Sequence, residues 1–148
     1  MGTKRNIQEA TLDAALILKD AGAVTADGGG TVDAVARVVN VGPGLIKAAL
    51  IVDVNALDLA GGDEVYDIIL QGSTDPTFAT NVSVLTRLRA GAAIGEDSFG
   101  IGRISRIFTN TAENGEILPY LRVFHDVTGG AGGGSIDYQA FIAQDVLP

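Results

Sequence analysis

The chain has 148 residues, 47% of them hydrophobic, which suits one domain with a sizeable core and argues against a disordered chain. Its formal net charge is −8, and its few positive residues form no run, so a nucleic-acid-binding protein, which needs a basic face, is not expected. There is no cysteine, which excludes disulfides, zinc–thiolate sites and cysteine nucleophiles.

The composition favours β-structure. There are 20 glycines but only five Phe, three Tyr and no Trp, so the core must be built from Val, Ile, Leu and Ala between many tight turns. No apolar run approaches the length that spans a membrane, and the polar start does not resemble a signal peptide. We therefore expect a soluble protein, made in a cytoplasm and without a membrane partner.

The beginning of the chain divides into an arm and the first element of a domain. Residues 1–11 are polar and do not alternate, which predicts an N-terminal arm, with a plain frayed end as the alternative. Residues 12–148 show no linker and are predicted to form one domain. For Leu12–Leu18 we predict a strand, while a short helix is the alternative, because its residues alternate poorly and have good helix propensity.

Alternating segments separated by glycine-rich turns predict strands through the middle of the chain. These predicted strands are Thr31–Val41, Leu45–Leu57, Glu64–Gln71, Val82–Arg89, Ile101–Thr109 and Leu118–Asp126. In the predicted strand Glu64–Gln71, one face carries Tyr66, Ile68 and Leu70, and in Val82–Arg89 one side carries Val82, Val84, Thr86 and Leu88. Helix and strand compete in Leu45–Leu57, but its β-branched centre and its flanking turns favour a buried strand. The dipeptide Asn114-Gly115 predicts a hairpin with a type I′ turn.

The last block, residues 117–148, predicts a strand, a glycine-rich reversal and a closing strand, which together form a final hairpin. In the closing strand Ile136, Tyr138, Ala140 and Ile142 share one face. The whole chain then contains about eight strands at short spacing. That count predicts an all-β, single-domain sandwich, either a jelly roll or another two-sheet Greek key.

The single histidine is the main candidate for catalysis. His125 stands beside Asp126, but neighbouring strand residues point to opposite faces, and no G-x-S-x-G elbow is present. We therefore predict a surface or rim histidine and no enzyme activity. A small hydrolase is the rival hypothesis, in which His125→Ala would abolish activity.

Acidic residues beside glycine loops raise the question of a calcium site. Asp27 and Asp33 flank one loop, and Asp58, Asp63 and Glu64 flank another, but neither loop has the spacing of a calcium-binding loop. Asp and Gly are also ordinary turn residues. We predict no metal and no cofactor, with a structural ion as the alternative.

A carbohydrate-binding β-sandwich is the alternative function. Such a module needs exposed aromatic side chains for sugar stacking, and the chain is poor in them. Tyr66, Tyr120 and Tyr138 are better interpreted as core or rim residues with one polar end.

Three segments resemble the capsid cement (decoration) proteins of tailed bacteriophages. They are Tyr120–Phe124 followed by Val127–Gly130, the opening segment Leu12–Thr25, and Val65–Phe78, where a strand leads into a polar turn. The resemblance spans most of the chain and rests on the order of the three segments. It implies a jelly-roll-like sandwich on the outer surface of a phage head, bound to the major capsid protein and without catalysis.

Our first hypothesis is therefore a virion protein that associates with itself, as a homotrimer, and with the capsid. For capsid contact we predict residues of the N-terminal arm, namely Thr3, Lys4, Arg5, Asn6, Ile7 and Gln8. For self-association we predict residues of an aliphatic strand face, namely Leu45, Ile46, Ala48, Leu50 and Ile51.

Overall fold

The computed structural model describes residues 16–129 and 134–144, so the predicted arm of residues 1–11 lies outside the described residues. The described chain is all-β, with twelve strands and one short 3₁₀ helix, Gly95–Asp97. Six short strands come first: β1 Ile17–Lys19, β2 Ala23–Val24, β3 Gly28–Gly29, β4 Thr31–Val32, β5 Val35–Ala36 and β6 Val39–Asn40. Six long strands follow: β7 Lys47–Leu57, β8 Val65–Ser73, β9 Ser83–Ala90, β10 Gly102–Thr109, β11 Tyr120–Thr128 and β12 Ile136–Ala143.

The strands form two antiparallel sheets. The first sheet has the order β1-β12-β7-β10, and β2 also pairs with β12. The second has the order β3-β11-β8-β9, and β6 also pairs with β11, while β4 and β5 form a separate ribbon. From β7 onward the chain changes sheet at every connection except the β8–β9 hairpin. With β1 and β2 counted as one position and β3 and β6 as another, eight positions follow the order of a jelly roll, which confirms the predicted fold.

The core lies between the sheets and follows the period-two pattern of the long strands. On β8 the side chains of Tyr66, Ile68 and Leu70 point inward, as the sequence predicts. On the facing sheet, Leu50 of β7 and Ile142 of β12 belong to the same buried cluster. Burial of such side chains is the main term that stabilises the fold. A smaller apolar cluster comprises Ala49, Ile51, Phe141 and Ala143.

The predicted strand Thr31–Val41 is not continuous, so that prediction was wrong. Asp33 and Ala34 have positive φ angles of 52° and 64° and form the two-residue turn that joins β4 to β5. Two adjacent left-handed residues give the backbone twist of a tight hairpin. The sequence pattern hid this turn because Ala34 is not a typical left-handed residue.

The final hairpin was also predicted wrongly. β11 and β12 belong to different sheets, β11 beside β8 and β12 beside β7. The glycine-rich segment between them therefore connects one sheet to the other. Alternation alone cannot distinguish these arrangements, because paired strands and strands facing each other across a core both bury every second side chain.

The Asn114-Gly115 turn is local and does not pair β10 with β11. Gly115 N donates to Ala112 O at 2.9 Å, and Thr111 forms an isolated bridge with Ile117. Gly115 has a φ of 85°, whereas Asn114 is not among the described residues with positive φ, so the turn is not type I′ as predicted. β10 lies in the first sheet and β11 in the second.

A bulge in β9 changes which of its side chains face solvent. Leu70 pairs with Thr86 and Gln71 with Val84, which leaves Leu85 as an extra residue. Leu85 packs against the core, whereas the side chain of Val84 is 53% exposed. A bulge reverses the inward and outward positions beyond it. The prediction that Val84 and Leu88 share a face is therefore wrong.

Candidate functional site

The two margins of the sandwich differ, and the difference locates the candidate site. At one margin β9 ends the second sheet and β10 ends the first, and among the described residues neither has a second strand partner. We call this margin, formed by β9 and β10, the open edge. An edge strand presents unpaired backbone donors and acceptors and can pair with another chain.

Exposed apolar side chains concentrate at the open edge. Seven large hydrophobic residues of the described chain are exposed, and four of them lie in or next to β9 and β10: Val82, Val84, Ile101 and Ile107. Single exposed apolar residues are common, but several along an unpaired edge mark an interaction surface. Sequence alternation missed Val84 because the bulge that exposes it follows from pairing with β8.

A groove lies at one end of this edge. It has a volume of ≈ 690 Å³ and is lined by Ser83, Val84, Thr111, Ala112, Glu113 and Asn114. Buried Asn110 holds the neighbouring segment in place, since its Oδ1 accepts from Ile46 N at 2.7 Å and its Nδ2 donates to Gly44 O. Leu45, between these two anchors, is 63% exposed, so a second aliphatic side chain lies at the same end of the sandwich.

The predicted self-association residues are only partly available to a second copy. Leu45 is exposed and Ile46 is half-buried, but Ala48, Leu50 and Ile51 are buried within the protomer. β7 lies between β12 and β10, and it buries side chains on both of its faces, as interior strands of covered sheets do. Ala48, Leu50 and Ile51 therefore build the domain, and the surface offered by the predicted set reduces to Leu45 and part of Ile46.

The predicted capsid-contact residues, Thr3 to Gln8, lie outside the described residues. Their role stays a prediction.

The opposite margin, formed by β1 to β6, is closed by short segments that pair with the long strands. We call it the closed edge. β1 and β2 pair with β12, and β3 and β6 pair with β11. The backbone continues this pairing: Asp20 N donates to Thr31 O at 3.0 Å, and Gly30 N donates to Val123 O at 2.8 Å. This margin therefore offers few free backbone groups to a partner.

His125 lies inside the closed edge, so the prediction of a surface or rim histidine was wrong. Its side chain is 6% exposed, and its Nδ1 lies 2.7 Å from the hydroxyl oxygen of Tyr138. Burial, and then the positive charge of Lys19, lowers the pKa of His125 to about 4. Burial raises the pKa of Tyr138, so its hydroxyl stays protonated and shares a hydrogen bond with His125 Nδ1. This bond joins the two sheets across the core.

Lys19 completes a buried polar cluster with His125 and Tyr138. Its side chain is 3% exposed, and its ammonium donates to three backbone oxygens, those of Asp20, Gly22 and Tyr138, at 2.8–2.9 Å. Burial lowers the pKa of Lys19, but its ammonium uses all three of its N–H donors in these hydrogen bonds. We refer to Lys19, His125 and Tyr138 as the polar cluster, and its contacts are those of a structural link.

The neighbour of the histidine does not take part in this cluster. Asp126 points to the other face of β11, where its carboxylate accepts from the Thr128 hydroxyl at 3.2 Å. The sequence argument that adjacent strand residues diverge is confirmed here, so no His–Asp dyad forms.

The acidic turns use their carboxylates to bind backbone. Glu64 accepts from the amides of Gly61 and Gly62, and Asp58 accepts from Ala60 N at 3.0 Å. Asp27 accepts from Val127 N at 2.7 Å. In residues 16–129 and 134–144, no group of three or more His, Cys, Asp or Glu side chains is arranged to hold a metal ion.

The tyrosines do not form an exposed stacking surface. Tyr66 is 1% exposed, Tyr138 is fully buried and Tyr120 is half-buried, which confirms their interpretation as core or rim residues. The Tyr66 hydroxyl donates to Asp58 O at 2.7 Å, as a buried phenol requires.

No helix in the described part of the chain is both long and apolar enough to cross a membrane. Comparisons of the chain with protein-family models, with curated proteins and with solved structures returned no match.

Proposed function

We propose that this chain is a non-enzymatic structural protein of a phage head. In this proposal it binds the outer surface of the major capsid protein lattice and cements or decorates it. The observation that carries the proposal is the open edge, where exposed aliphatic side chains lie along two edge strands beside a groove. The identity of the partner comes from the sequence resemblance, because a jelly roll occurs in proteins of many functions.

The shape of the molecule fits a bridging role. The two sheets are joined through the core by the hydrogen bond between His125 and Tyr138, and the closed edge is covered by short strands. A body of this kind presents its open edge with little internal rearrangement, so little entropy is lost on binding. On a symmetric lattice, an oligomer can repeat a weak contact and gain avidity.

The interior of the sandwich supports a non-enzymatic role. Lys19 and His125 could serve as an acid, a base or a nucleophile in an enzyme, but here both are buried and engaged in structural hydrogen bonds. A general base must reach a substrate proton, and a histidine that is buried and hydrogen-bonded to Tyr138 is not placed to do so.

The test compares phage heads assembled with and without this chain by cryo-electron microscopy. We expect added density on the outside of heads that contain it, at positions set by the local symmetry of the shell. If heads made with and without the chain have the same outer surface, the proposal is wrong.

Two matched variants then locate the contact. Val84 is on the open edge and Val35 on the closed edge, and both are highly exposed, at 53% and 67%. We expect Val84→Asp to reduce co-sedimentation with heads by at least about tenfold, which corresponds to ~1.4 kcal/mol, and Val35→Asp to leave it unchanged. Equal losses in both variants would argue against the open edge.

The proposed homotrimer has a separate test. Analytical ultracentrifugation of the free protein gives its mass, and Leu45→Asp changes the exposed residue of the predicted self-association set. We expect a trimer that Leu45→Asp weakens. A monomer at all concentrations, or a trimer unaffected by Leu45→Asp, would exclude that role for Leu45.

A further inference from the structure

The outer face of the second sheet carries an arginine that is held in place by neutral groups. Arg122 of β11 donates from Nε to Gln71 Oε1 at 2.8 Å. Its guanidinium carbon lies 4.4 Å from the ring centroid of Phe78 and 5.6 Å from that of Phe124. These cation–π contacts and the hydrogen bond fix the plane of the guanidinium.

Arg122 differs from the arginines of the described chain that pair with carboxylates. Arg89 binds Asp67 through Nε and Nη2 at 2.8 and 3.2 Å, and Arg103 binds Asp53 in the same way at 2.7 and 2.9 Å. In the described residues, no carboxylate lies within ion-pair distance of Arg122. It is half-buried, and this burial lowers its pKa, because nearby apolar groups replace water around the cation.

The turn after β8 places Phe78 against this cation. Phe78 has a φ of 56°, and its amide donates to Asp75 O at 3.0 Å. The carboxylate of Asp75 is engaged elsewhere, since it accepts from Thr77 N and from the Thr77 hydroxyl at 2.9 and 2.7 Å. The turn thus places the Phe78 ring against the guanidinium, while the Asp75 carboxylate stays hydrogen-bonded within the turn.

The register connects this arginine to the open edge. Arg122 is opposite Gln71, and Gln71 is opposite Val84. Two strand spacings, about 10 Å, therefore separate the Arg122 backbone from that of exposed Val84 on the same sheet. Arginine is one of the residue types enriched at binding hot spots, and Arg122 lies beside the open edge.

We propose that Arg122 is a preformed receptor for one carboxylate, supplied by an acidic side chain of a protein partner. The two Nη groups donate to the two carboxylate oxygens, while Nε keeps its bond to Gln71. The single positive charge of the guanidinium matches the single negative charge of a carboxylate. A phosphate dianion calls for several donors. Of the other arginines on this face of the sheet, Arg89 is paired with Asp67, and Arg87 is opposite Ile69 rather than Gln71. The carboxylate site stands on its own geometry, and only its assignment to the capsid surface rests on the proposed function.

The first test uses the protein alone, with sodium acetate as the probe. In ¹⁵N NMR spectra of the full chain, we expect the Arg122 Nε–Hε resonance to shift and saturate with acetate, and to respond only weakly to chloride at equal ionic strength. Arg87, an exposed arginine of β9, serves as the internal control. An Arg122 shift no larger than that of Arg87 overturns the proposal, and so does tighter binding of phosphate than of acetate.

The second test measures binding to heads. We expect Arg122→Gln and Arg122→Lys each to weaken binding at least about tenfold, because lysine keeps the charge but lacks the planar fork, whereas Val35→Asp on the closed edge leaves binding unchanged. Thermal unfolding identifies any variant that fails to fold. If a variant fails to fold, the acetate titration of the unmodified chain decides whether Arg122 binds a carboxylate. If the wild-type protein does not bind heads, the proposed function is wrong. Wild-type binding that both Arg122 variants retain refutes the assignment of Arg122 to the capsid contact.

Discussion

The closed edge and the open edge differ in how the margins of the two sheets are covered. Short strands pair with the outer sides of the long strands at the closed edge, whereas β9 and β10 have no second strand partner among the described residues at the open edge. At the closed edge, β1, β2, β3 and β6 pair with the long strands, and the polar cluster lies beneath them. At the open edge, two eight-residue strands end the sheets and aliphatic side chains are exposed. Natural proteins usually protect long edges, so one that stays apolar and unpaired indicates an interaction surface.

The closed edge depends on close backbone approach. A Cβ atom on Gly30 would lie 2.5 Å from both Leu18 O and a methyl group of Val123, closer than any side chain tolerates. Glycine at this position lets the segment before β4 lie against β1 and β11. The two edges therefore predict opposite responses to substitution: stability should change at the closed edge, and binding at the open one.

Lys19→Met should have the largest effect on stability. The substitution removes the three hydrogen bonds from the ammonium and leaves the buried oxygens of Gly22 and Tyr138 without this donor. We expect the free energy of unfolding to fall by about 3 kcal/mol, measured by urea denaturation at pH 7. A loss below ~1 kcal/mol would mean that the polar cluster does not hold the closed edge together.

Acidification should weaken the closed edge through His125. Its pKa is about 4 in the folded protein and 6.5 as the ordinary value, so between these pH values the unfolded chain binds a proton that the folded protein does not. Stability from this group is therefore complete above pH 6.5 and falls as the pH drops toward 4, by at most about 3 kcal/mol.

The control for this pH dependence is His125→Asn, which cannot titrate. Urea denaturation at several pH values should give a smaller fall for the variant than for the wild type between pH 6.5 and 4. Identical pH profiles would contradict the buried, neutral histidine.

Tyr138→Phe should have a smaller effect. It removes only the hydroxyl and leaves His125 Nδ1 without its partner, while the ring stays packed in the core. We expect a loss of about 1–2 kcal/mol by urea denaturation and unchanged binding to heads. Reduced binding by a folded Tyr138→Phe protein would remove the distinction between the two edges.

Val84→Asp should change stability least. Val84 is largely exposed at the bulge of β9, so we expect a change of at most about 0.5 kcal/mol, measured as for the other variants. This same variant is the one expected to lose binding to heads. A large stability loss would show that Val84 contributes to the fold and would weaken the interpretation of the open edge.

Sequence pattern predicted the long strands well and the candidate site poorly. β8, β10 and β11 lie where alternation places them, within a few residues, and β7 lies where its β-branched centre and flanking turns place it. The exposure of Val84 escaped prediction because it depends on a bulge opposite Gln71. Arg122 and Phe124 lie on one face of β11, as period two requires, but Phe78, which contacts the same cation, comes from a turn more than forty residues earlier in the chain.

The sequence by itself determined that the chain is a two-layer β-structure and which side chains of β8 and β12 face the core. This follows because period-two alternation is local and each strand carries its own inward face. Only the tertiary structure decided that β11 and β12 face each other across the core, that His125 is buried against Tyr138, and that one margin is closed while the other is open. These features depend on long-range strand pairing and register, which the pattern within a single strand does not encode.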